Sequence, residues 1–235
     1  MEPRFVERDF VDGAALAAAL AEAVAEDLRN AIAQRGRALL AVSGGTTPRE
    51  FLHALSNAPL QWPRVTVTLC DERWQPPQHP RSNARLVHES LLRGAAAAAA
   101  FVPLYADAPD PEPVLTAIEQ RIERLRLPLD IAVLGLGLDG HTASLFPDGD
   151  RFEQALDPAV ASLVLPMRAP SAGEPRITLT LPPIAGARNL YLQIEGAEKK
   201  AVFQQIVRAD GAFARSPLRA LMRHAKAQLN VYWCE

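Results

Sequence analysis

Through residues 12–35 apolar side chains recur at every fourth position: Leu16, Leu20, Val24, Leu28 and Ile32. That spacing lays them along one side of a helix, and Glu22, Glu26 and Arg29 fall on other, solvated positions. Gly36 ends the helix, and the apolar run 37–42 reads as the first sheet strand. The pattern then alternates. A helix is expected at 49–55, a β-branched strand at 65–70, and a helix at 84–92 with Ser82-Asn83 as its N-cap. A short strand at 102–105 precedes a helix over 111–126, whose Val114, Leu115, Ile118, Ile122 and Leu125 point inward. Further strands are expected at 131–134, 160–166, 176–181, 189–194 and 227–233, with Pro182-Pro183 breaking the third of these and a helix running to about 207. Strands alternating with helices predict an α/β protein: one domain over 1–235, with a mainly parallel sheet and helices on both faces, a Rossmann-like three-layer sandwich.

Four places where a strand hands over carry the candidate chemistry. Ser43-Gly44-Gly45-Thr46-Thr47-Pro48 follows the 37–42 strand and opens a helix. Glycines there let successive N–H groups converge, and the helix start adds positive potential, which makes either a phosphate cradle or an ordinary strand–helix turn. It is no Walker A, because the Gly-Lys-Ser/Thr ending is missing. Asp71-Glu72-Arg73 closes the 65–70 strand. Residues 129–147 read LDIAVLGLGLDGHTASLFP, a buried strand, two glycines, Asp139-Gly140-His141, then Thr142-Ala143-Ser144 opening a helical turn that Pro147 halts.

This stretch formally matches the dinucleotide fingerprint G-x-G-x-x-G. That motif needs a full helix and an acid about 20 residues on; Pro147 denies the first and the run 160–166 lacks the second. His141 then reads either as an acid–base group, its side chain type titrating near neutrality, or as a buried hydrogen-bonding residue. Lys199, at the corner after the 189–194 strand, is one of three lysines in the chain, and is either an anion contact or a surface residue. In a parallel sheet all four corners lie on one edge and can line one pocket.

Composition narrows the setting. Apolar residues at 49% supply a sizeable core, and a net charge of −2 gives no electrostatic case for nucleic acid or an anionic membrane. Cys70 and Cys234 have no metal-ligand spacing and suit a reducing compartment. No apolar run approaches the ~20 residues of a membrane span, and the charged N-terminus lacks a signal-peptide core. A cytoplasmic protein is expected, with no membrane or nucleic-acid partner.

Taken in order, SGGTTP, DERWQPPQHPRSN, LGLGLDGHTASLFP, RITLT and GAEKKA resemble the 6-phosphogluconolactonase family, which belongs with the glucosamine-6-phosphate deaminases. The resemblance covers nearly the whole chain. It implies hydrolysis of 6-phospho-D-glucono-1,5-lactone to 6-phosphogluconate in the oxidative pentose phosphate pathway, without metal or cofactor, by a monomer or small homo-oligomer. It places His141 as catalytic base, Asp139 as its orienting carboxylate or a turn cap, and Arg73 against the lactone or its phosphate. Ser43, Gly44, Gly45, Thr46, Asp71, Arg176 and Lys199 become substrate-binding residues. The deaminases share the glycine loop and the G-x-D-G-H core. They carry an aromatic at Arg73 and a glutamate where this chain has Phe146. Sugar-phosphate sensors add a DNA-binding segment ahead of the domain, for which a strand starting near residue 37 leaves no room.

Overall fold

In the computed structural model, which describes residues 4–235, the chain begins with a strand, β1 (Phe5–Phe10), that the sequence pattern does not announce. Its apolar ends flank the polar run Glu7-Arg8-Asp9, so neither alternation nor a continuous apolar run marks it. Asp12 caps α1 (Gly13–Arg35) by accepting from the Ala15 N–H at 2.8 Å. The Leu16–Leu28 stripe is buried, and Gly36 closes the helix in the left-handed region at φ 71°. The chain continues as β2 (Ala38–Val42), α2 (Arg49–Ser56), β3 (Val65–Leu69) and β4 (Asp71–Arg73). Ser82 caps α3 (Asn83–Ser90), and β5 (Ala100–Val102) lies a little earlier than the expected 102–105. A single 3₁₀ turn precedes α4 (Leu115–Glu123), in which Ile118 and Ile122 are buried while Val114 and Leu115 are only half-buried.

Beyond β6 (Ile131–Leu134) come α5 (Phe152–Leu156), β7 (Val164–Met167), β8 (Arg176–Leu179) and α6 (Leu181–Ala185), with Pro182-Pro183 inside the first turn of α6. Then β9 (Asn189–Glu195), α7 (Ala197–Arg208), α8 (Pro217–His224) and β10 (Leu229–Cys234) complete the chain.

Seven strands form one fully parallel sheet in the order β1-β10-β9-β6-β2-β3-β5. Helices flank it; α1 lies over β2, β6, β10 and β1 and packs on α2. From β2 the chain steps through β3 to β5 on one side, and from β6 through β9 to β10 on the other. The order therefore reverses between β2 and β6, and ligands bind at such a switch point beyond the carboxyl ends of the strands.

Two expected members of this sheet are elsewhere. The 160–166 and 176–181 runs become β7 and β8, which pair antiparallel with β4 in a separate three-stranded sheet, β4-β8-β7. Asp71–Arg73 is thus a strand in its own right rather than a loop end. Nor is Thr142–Ser144 a helical start: Thr142 bridges Leu145 across a tight turn with Ala143 at φ 51°. Among the described residues no helix is long and apolar enough to cross a membrane.

Candidate functional site

The loops after β2, β3, β6 and β9 meet at the switch point around a cavity of about 340 Å³, within the size range of small-molecule sites. Every site residue expected from sequence lines it except Asp139, which stands behind His141. Arg81, Asn83, Phe146, Ser171 and Gln193 also line it, and the pattern of hydrophobic and polar positions did not single these out as site residues. Only Gln193 left a usable trace: a polar side chain in the middle of the apolar β9, 2% exposed, its Nε2 donating to the Thr47 carbonyl at 3.2 Å.

The histidine wall is built by the loop after β6. His141 Nδ1 lies 2.5 Å from Asp139 Oδ1, and the same oxygen accepts from the His141 N–H at 3.2 Å. One carboxylate therefore both caps the turn and orients the ring. With Nδ1–H assigned as the donor to Asp139, Nε2 is the nitrogen left to accept a proton. Burial pushes the Asp139 carboxyl up, but the hydrogen bonds and charge of His141 outweigh it and hold the carboxyl below its usual range. Gly137 makes this folding possible. A β-carbon there would overlap both the imidazole and the Asp139 carboxylate. The Phe146 ring packs on His141 with centroids 4.4 Å apart, and the Arg176 guanidinium lies over the Phe146 ring at 5.6 Å from its centroid.

The small sheet supplies a second wall. Arg73 and Arg176 are direct cross-strand partners on β4 and β8, and like charges so placed repel. Burial, then the charge of Arg73, lowers the proton affinity of Arg176. The Nε of each is buried without a hydrogen-bond partner. Paired cations with idle donors are an arrangement completed by an anion. Asp71 is partly committed already, taking a 2.5 Å hydrogen bond from Ser144 Oγ that ties β4 to the histidine loop.

The third wall is the glycine cradle. Gly45 is in the left-handed region at φ 105°, and Gly44 lies so close to the Asn83 amide that a β-carbon would overlap it. Lys199 Nζ reaches Thr47 Oγ1 at 3.4 Å, and the Ser43 hydroxyl is buried and unpartnered. Beneath the cradle, Glu72 is fully buried and accepts from the N–H groups of Arg73, Asn83 and Ala84 at 2.7–2.8 Å, and from Ser82 Oγ at 3.2 Å. Burial pushes its carboxyl up to about 7 against the pull of those donors.

Fold and pocket together define the class: an α/β protein whose switch point carries a histidine–aspartate pair facing a cluster of cations and backbone donors. The family model for glucosamine-6-phosphate isomerases and 6-phosphogluconolactonase matches residues 11–233. A 6-phosphogluconolactonase of Rhizobium meliloti is 50% identical over 224 residues, covering 95% of this chain and 96% of the relative. One from Pseudomonas aeruginosa is 45% identical over 214 residues, 91% and 88% of the two chains. The crystal structure of a 6-phosphogluconolactonase from Shewanella baltica superposes with a TM-score of 0.94 at 34% identity over the whole of both chains. This chain belongs to the glucosamine-6-phosphate isomerase/6-phosphogluconolactonase family.

Proposed function

We propose that His141 and the cation-lined cavity hydrolyse 6-phospho-D-glucono-1,5-lactone to 6-phospho-D-gluconate, the reaction of this chain's lactonase relatives. The observation that carries the residue assignment is the Asp139–His141 pair held at 2.5 Å in a cavity shared with two arginines that have idle buried donors. The lactone carbonyl is already electrophilic. His141 Nε2 takes a proton from water as the oxygen attacks C1, and positioned acid–base groups contribute ~10²–10⁴-fold to such a step. Asp139, ionised throughout, steadies the imidazolium. The tetrahedral oxyanion collapses, the C1–ring oxygen bond breaks, and His141 returns the proton to the leaving ring oxygen.

Arg73 is aimed at the charge that develops on the carbonyl oxygen. Donors so placed are typically worth ~3–4 kcal/mol. The phosphate rests on the N–H groups of Gly44, Gly45 and Thr46 with the Ser43 hydroxyl, between Arg176 and Lys199. Asp71 holds the histidine loop through Ser144 and faces the ligand from the cavity lining. Phe146 offers no proton, so the relay a deaminase needs for ring opening has no acid at this position. Residues 1–235 work on this reading as one domain in the cytoplasm, with a small-molecule partner and no cofactor.

Freshly made lactone supplied to the protein tests the assignment, with 6-phosphogluconate formation followed through a coupled NADP-dependent dehydrogenase and spontaneous hydrolysis subtracted. A rate no greater than the uncatalysed one overturns it.

A further inference from the structure

Arg81 and Glu174 have no part in the mechanism above, yet both stand at the cation wall. Arg81 lines the cavity, its side chain 52% exposed, while the Glu174 carboxylate is only 10% exposed. A single oxygen, Glu174 Oε1, lies within ion-pair distance of two guanidiniums, Arg81 Nη2 at 2.9 Å and Arg176 Nη2 at 3.1 Å, while accepting an aligned hydrogen bond from neither. The two arginines are held very differently. Arg176 is buried, with a hydrogen bond from Nη2 to the Ala172 carbonyl at 3.0 Å. Arg81 is fixed only through its backbone: its carbonyl accepts from Arg73 Nη1 at 2.9 Å, its N–H donates to His79 Nδ1, and Pro76, Pro77 and Pro80 stiffen the loop before it. Its side chain has one ion pair, half in solvent, which is a weak restraint. Two residues on, Asn83 touches Gly44 of the cradle, so Arg81 enters the cavity beside the phosphate seat.

Charge points the same way. Arg73, Arg81, Arg176 and Lys199 line the cavity with Asp71 as the acidic residue among them, and Glu174 is ion-paired to Arg81 and Arg176, leaving a surplus of positive charge that matches a phosphate dianion. Resting on the lactonase reading, we propose that Arg81 is a further substrate-binding residue, an exchangeable guanidinium that leaves Glu174 and closes on the substrate's phosphate. Glu174 parks Arg81 at the mouth of the empty pocket and keeps its hold on Arg176 when Arg81 departs. The phosphate is the substrate's only charged group, so it alone can displace a carboxylate from an arginine.

The experiment compares wild type, Arg81→Met and Arg81→Lys on phosphorylated lactone, on unphosphorylated gluconolactone, and for inhibition by 6-phosphogluconate and inorganic phosphate. Arg81→Met should raise KM for the phosphorylated lactone and the inhibition constants of both anions about tenfold. Its kcat and its rate on gluconolactone should stay within about twofold of wild type. The fall of kcat/KM with added salt should become shallower, because one screened charge has gone, and Arg81→Lys should recover part of the lost affinity. Wild-type KM and inhibition constants in Arg81→Met overturn the proposal, as does an equal loss on both lactones, which marks a structural strut. Failure of wild type itself to hydrolyse the phosphorylated lactone sinks the underlying reading instead, so the two failures are distinct.

Discussion

His141 depends for its position on a glycine four residues earlier. The Asp139–His141 hydrogen bond forms in space that any β-carbon at Gly137 would occupy, so His141 is set by local backbone chemistry as much as by the sheet beneath. His141→Asn retains bulk and one hydrogen-bonding group but cannot act as a base. Its kcat should fall about 10²–10⁴-fold with KM little changed and the melting temperature near that of wild type. A folded variant with normal kcat would leave the mechanism without its base. Lys199 answers a different question. Charge-assisted bonds are worth ~1.5–3 kcal/mol, so Lys199→Ala should lower kcat/KM for the phosphorylated lactone about 10- to 100-fold, chiefly through KM. Gluconolactone should be indifferent to this change; equal losses on both substrates would place Lys199 in folding rather than in phosphate binding.

At the scale of elements, the short strand β4 joins the small sheet to α3, and Glu72 is the joint. Its carboxylate takes the first two N–H groups of α3, satisfying donors that a helix start leaves open, and this seats Asn83 against Gly44. Donors surround both carboxylate oxygens, so the amide of Glu72→Gln must face an N–H or a hydroxyl that also donates. A loss of ~1–3 kcal/mol is expected, with a higher KM as the cradle loosens. The pH dependence has a definite sign. Glu72's folded pKa, about 7, lies above its ordinary value of 4.5. Folding therefore favours the protonated form. That contribution is fully present below about 4.5 and is lost as pH rises through about 7. Urea melts of wild type and Glu72→Gln across this window should show the stability of wild type falling relative to the variant. A constant difference between the two would deny that Glu72 titrates there.

Across the whole molecule, the central strands β9, β6, β2 and β3 bring their carboxyl ends together, and the small sheet roofs one side. On the proposed mechanism, catalysis draws on a histidine, arginines and backbone donors. Among the described residues no group of three or more His, Cys, Asp or Glu side chains could hold a metal ion. Activity should accordingly survive exhaustive treatment with EDTA. Loss of turnover that zinc or magnesium restores would overturn the mechanism.

Much of this was written into the chain locally. The four-residue stripe of α1, the β-branched run of β3 and the Ser82 cap each follow from contacts within a few residues, and each formed as its pattern predicts. The strand-to-loop corners likewise pointed to His141, Arg73, Lys199 and the glycine cradle, which line one cavity, because the carboxyl ends of parallel strands lie on one edge of the sheet. Pairing partners were not legible. An apolar run specifies a buried strand without specifying its neighbour, so β7 and β8 looked like members of the main sheet, and β1 carried no pattern until β10 gave it a partner. Arg81 and Asn83 line the site, and Glu174 pairs with Arg81 behind it, because the β4–β8 pairing brings two distant loops together. Period and turn chemistry are properties of neighbours in sequence; strand order and the meeting of charges from residues 73, 81, 174 and 176 are properties of the folded chain, decided where buried surface and paired hydrogen bonds are gained between segments far apart.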